Sequence, residues 1–63
     1  MSRNIIDEGD FIVTRYAGAK GVGVCYQVNS TDPITGKLVY ICLTRTEFLK
    51  MCITGLRDYV EEG

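Results

Sequence analysis

Histidine is absent from the 63-residue chain. Its absence removes the usual base for a cysteine nucleophile and the common partner of cysteine in zinc sites. The three cysteines, Cys25, Cys42 and Cys52, are an odd number with no CxxC pair. Neither a full disulfide framework nor a thiolate metal site is written here. They read as small buried hydrophobes of a reducing compartment, and no metal or cofactor is expected. A basic excess is also lacking: seven Lys and Arg stand against eight Asp and Glu, giving a formal charge of −1 and a pI near 5.1. Nucleic-acid binders usually carry a basic stripe, and here the basic residues are scattered, so nucleic acid is not the expected partner. Long apolar runs are missing too, and Met1 is followed by polar residues instead of a signal core. The expectation is a soluble cytoplasmic protein, in the host cell if the gene is viral, with no membrane partner.

What remains is a chain of one domain, residues 1–63. A fold of this size buries only about 60% of the surface its unfolded form exposes. With disulfides and metals set aside, oligomerisation is the remaining support for so small a core.

The most apolar stretch is Leu38 to Leu43, Leu-Val-Tyr-Ile-Cys-Leu, which has no charged residue. Its length and β-forming composition predict a strand buried on both faces. Alternation predicts two more, over Phe11 to Tyr16 and Val22 to Val28, joined by the glycine-rich reversal Ala17 to Gly21. Asn29 to Lys37, with Pro33 after Asp32, reads as the polar loop that returns the chain antiparallel. Met1 to Asn4 reads as a lead-in, with Ile5 and Ile6 as anchors before the acidic turn Asp7 to Asp10.

Thr44-Arg45-Thr46-Glu47 fits the capping box and predicts a helix start. Phe48, Leu49, Cys52, Ile53, Leu56, Tyr59 and Val60 then recur at helical spacing. Gly55 costs about 1 kcal/mol relative to alanine inside a helix. The stripe persists beyond it, which favours one continuous helix over a short helix followed by a last strand.

The predicted fold is therefore α+β: a three-stranded antiparallel sheet with a C-terminal helix packed on one face. A small SH3-like barrel is the alternative. The helix side is assigned Phe11, Val13, Val22, Val24, Tyr26, Val28, Val39, Ile41 and Leu43. Opposite them fall Ile12, Thr14, Tyr16, Cys25, Gln27, Leu38, Tyr40 and Cys42, a set with no charge. Tyrosines among uncharged neighbours resemble an interface core in composition.

Chemistry finds little support. Gly18 to Gly23 is glycine-rich but matches neither phosphate-binding spacing, and it leads into a strand instead of a helix. The acidic groups crowd one turn and one chain end, where solvation explains them, and the chain is too short for a deep pocket. No catalytic residues are assigned, and the protein is not expected to be an enzyme.

The expected function is that of a protein-binding module, acting as a homodimer or on a larger protein through Ile12, Thr14, Tyr16, Gln27, Leu38 and Tyr40. Small domains of this kind serve as inhibitors or adaptors, and a viral accessory protein encoded by a phage or mobile element fits by analogy of size alone. Gly9-Asp10 followed by Gly18-Ala19-Lys20-Gly21 resembles, with irregular spacing, the KOW segment of small RNA-binding barrels; the remainder of the chain departs from it. The second reading is a nucleic-acid-binding small barrel using Arg15, Tyr16, Lys20 and Lys37, residue types that stack on bases and neutralise phosphates. A small-molecule sensor in a dimer cleft has no residue signature.

Overall fold

The computed structural model describes residues 2–62. Four strands, β1 (Arg3–Glu8), β2 (Phe11–Ala17), β3 (Val24–Thr31) and β4 (Leu38–Thr44), precede one helix, α1 (Arg45–Glu62). The strands form an antiparallel meander in the order β1-β2-β3-β4. The sheet is open, with β1 and β4 as free edges, so the barrel alternative is not the fold.

β1 corrects the three-stranded expectation. Its outward residues Arg3, Asn4, Asp7 and Glu8 are polar, and the pairing with β2 slips between Asn4 and Ile6. This bulge at Ile5 breaks the period of two, so no alternation shows in the sequence. The turn to β2 is Gly9-Asp10, with Gly9 at φ 67°, the left-handed geometry that a tight hairpin needs at its first central position.

Strand β3 begins two residues later than the alternation suggests. Gly21 and Gly23 both have φ 86°, and Gly18 N–H donates to the Gly23 carbonyl at 2.7 Å, so the reversal closes around Val22. Val22 is therefore an exposed loop residue and not part of the helix-side face. At its other end β3 runs on to Thr31 and brings Asn29 into the sheet. The β3–β4 loop is an Asx turn: Asp32 Oδ1 accepts from the Ile34 and Thr35 amides at 2.8 and 3.3 Å.

The register fixes the two faces, because residues directly opposite in an antiparallel pair share a side. One row crosses all four strands as Ile6, Val13, Val28 and Ile41. Val13 at its centre is 2% exposed, and with Cys25 on the other face at 7% it makes up the whole buried apolar core of the described residues.

The capping box forms as the sequence implies. Thr44 Oγ1 accepts from the Glu47 amide at 3.2 Å while Glu47 Oε1 accepts from the Thr44 amide at 3.0 Å. The bond from the Thr44 amide, with a second from the Thr44 hydroxyl at 3.1 Å, favours the ionised form and holds the Glu47 carboxyl below its ordinary value of 4.5. A depressed carboxylate contributes stability that is present above its unfolded value and lost as the pH falls through the folded one. The helical circular-dichroism signal should therefore drop on acidification below pH 4.5. In Glu47→Gln that acid-sensitive step should shrink; an unchanged acid profile would show that the cap does not hold the helix.

Helix α1 is continuous through Gly55. Its attachment to the sheet is slight. Phe48 stacks on Tyr26 with ring centroids 4.1 Å apart and an interplanar angle of 13°, which places the helix on the Val13 face. Among the described residues α1 meets only β3 and β4, and none of its own residues is buried. The expectation of a helix packed over the sheet is thus corrected: one ring stack anchors it, and Leu49, Ile53, Leu56, Tyr59 and Val60 stay exposed. The Cα radius of gyration is 13.1 Å, whereas a compact chain of this length has about 10.6 Å.

Candidate functional site

The face away from the helix is built from three strands. Ile12 of β2 lies opposite Asn29, which lies opposite Tyr40; Thr14 lies opposite Gln27, then Cys42; Tyr16 lies opposite Cys25, then Thr44. Leu38 continues the β4 side of the face, opposite Thr31. All six residues that the sequence singles out, Ile12, Thr14, Tyr16, Gln27, Leu38 and Tyr40, therefore share this surface. No charged side chain from β2, β3 or β4 enters it. Asp7 of β1, beside Ile12, marks its rim.

Its polar groups are partly tied down. Thr14 donates to Asn4 Oδ1 at 2.8 Å, and Gln27 donates to Asn29 Oδ1 at 3.2 Å. Hydrogen bonding with Cys42, then partial desolvation and the neighbouring thiols Cys42 and Cys25, push the Tyr16 phenol above its ordinary value of 10.0. Tyr16 is a half-buried floor of the surface, whereas Tyr40 and Leu38 project from it, 69% and 68% exposed.

No family model, curated protein or solved structure matches this chain. The site must be read from its own geometry.

Arg15, Tyr16, Lys20 and Lys37 are not brought together. Arg15 and Tyr16 are neighbours on β2 and so fall on opposite faces. Lys20 sits in the hairpin loop before β3, and Lys37 precedes β4 at the other end of the sheet. Among the described residues no group of three or more Cys, Asp and Glu is placed to hold a metal ion. No helix among them is long and apolar enough to cross a membrane.

Two parts of the surface were missed by sequence reasoning. Asn29 joins the uncharged face because β3 extends past Val28, and the polar run from Asn29 to Thr31 gave no strand signal. The expectation of a β4 buried on both faces and of a helix stripe covered by the sheet is corrected, because no layer lies over most of either. Both are open instead, with Ile41 54% exposed and Leu56 65% exposed. A period in the sequence identifies an apolar stripe but does not say whose atoms cover it.

Proposed function

We propose that the protein is a protein-interaction module, working as an inhibitor or adaptor by docking its uncharged sheet face on a larger protein. One observation carries this reading: the open face displays Tyr40 and Leu38 on β4 and Ile12 on β2, and no charged side chain of β2, β3 or β4 lies on it. Exposed tyrosine and leucine on an uncharged, flat surface suit the desolvated centre of an interface. The bonds from Thr14 to Asn4 and from Gln27 to Asn29 hold polar side chains in place before binding, which reduces the ordering cost of association. Occlusion or bridging asks for no chemistry from the chain.

Tyr40→Asp puts a charge on the β4 side of that face, at a position exposed enough to spare the fold. Affinity purification from the native host should recover a partner with the wild-type chain and lose it with Tyr40→Asp, while the far-ultraviolet circular dichroism stays the same. An identical set of captured proteins would remove this face as the binding site.

A further inference from the structure

We propose that a second copy of this chain covers the free edge of β4 together with the apolar stripe of α1, pairing β4 with β4 antiparallel about a two-fold axis. This goes beyond the reading above: it uses the backbone edge of β4 and the helix stripe, not the face that Leu38 and Tyr40 display.

The two sheet edges differ in kind. β1 carries Arg3, Asp7 and Glu8 and is bent by the bulge at Ile5, both recognised means of deterring strand addition. β4 carries no charge from Leu38 to Leu43, no proline and an unbroken register with β3. It is the most apolar strand of the sheet and also the most exposed one. Its unpaired backbone groups are a template for another strand. An antiparallel pairing of a strand with its own copy is a two-fold operation, so the same surface serves both partners.

The exposed area supports the same occupant. The chain exposes 5251 Å², whereas a compact folded monomer of this mass exposes about 4,000 Å². The excess of about 1,200 Å² per copy becomes about 2,400 Å² for a pair, within the range of obligate homodimers. Helices draw most of their stability from packing an apolar face, and α1 has almost none within its own chain. At about 27 Å for 18 residues, it is long enough to reach across a neighbouring copy.

Charge points the same way. Arg3 and Arg15 stand directly opposite on the Val13 face, and Arg15 Nε is buried with no hydrogen-bond partner. The last turn of α1 holds Glu61 and Glu62, with Asp58 one turn before, and no basic residue. A second copy laying its helix over this face offers acids to the arginine pair. The net charge of −1 gives two copies little mutual repulsion.

Light scattering of the full chain under reducing conditions should give twice 7.0 kDa across the micromolar range. Leu56→Asp and, separately, Ile41→Asp should each weaken the dimer about 100-fold, as loss of a central apolar anchor does in both copies at once. Hydrogen exchange on the wild type supplies a readout independent of any variant: both sets of alternate β4 amides should be protected, where a free edge protects one. A monomer at every concentration, a dimer indifferent to both substitutions, or an assembly larger than two would each overturn the proposal. Capture that depends on Tyr40 by a chain that stays monomeric would reject the dimer alone; a dimer without such capture would reject only the docking face.

Discussion

Val13→Asp abolishes the cooperative unfolding transition. The expectation follows from how little else is buried. Val13 is 2% exposed at the centre of the Ile6, Val13, Val28, Ile41 row, and no ionisable partner of opposite charge stands directly opposite it on β1 or β3. A carboxylate placed there loses its hydration, and Arg15, two residues along the same face, offsets that loss only in part. The milder Val13→Ala removes two methyl groups and leaves a cavity, a cost of about 2–3 kcal/mol. That is a large share of the roughly 3–9 kcal/mol that a chain of this length has in total. Urea titration followed by circular dichroism, at one fixed protein concentration, measures both variants. A Val13→Asp chain with the wild-type midpoint would show that the sheet does not depend on this row.

Gly18→Ala should cost about 1–3 kcal/mol, the range of an overpacked site. Gly18 has no left-handed φ, so the added methyl carries no backbone penalty and the effect is steric. A Cβ there would sit 2.6 Å from Cys25 Sγ, 3.1 Å from Val22 Cγ1 and 3.2 Å from the Gly23 carbonyl oxygen. Val22 is a loop side chain and can swing away. The carbonyl is fixed by its 2.7 Å bond from the Gly18 amide, and the sulfur belongs to one of the two buried side chains among the described residues. Removing the sulfur should therefore relieve the clash: Gly18→Ala should cost distinctly less in a Cys25→Ala background than alone. Additive losses in that double-mutant cycle would clear the sulfur of any part in the effect.

These two sites also show where the sequence was legible. The alternation of Phe11 to Tyr16 and the uncharged run Leu38 to Leu43 mark β2 and β4 correctly, and the helix begins at its capping box. Each of these signals is local: it needs only neighbouring residues to agree. β1 was hidden because its partner is polar solvent on most sides and its bulge shifts the pattern by one residue. The start of β3 was hidden because the glycines at 21 and 23, and not the valine between them, decide where the chain reverses. The uncharged face could be assembled from alternation alone, and the register puts its six residues together. What lies over the helix stripe could not be read, since Leu56 has the same periodicity whether its neighbour is the same chain, another chain or water.

The contrast between the two edges of the sheet bears on how far such a surface can grow. A ribbon that is receptive on both sides has no reason to stop adding strands, and stacked, uncharged, β-branched segments are the material of fibrils. In this chain the charged and kinked β1 lies three strands from β4 and is carried in with every molecule that joins. Each arrival at β4 thus brings its own terminator. In the β4-paired dimer proposed above both outer edges are β1, so strand addition stops at two copies.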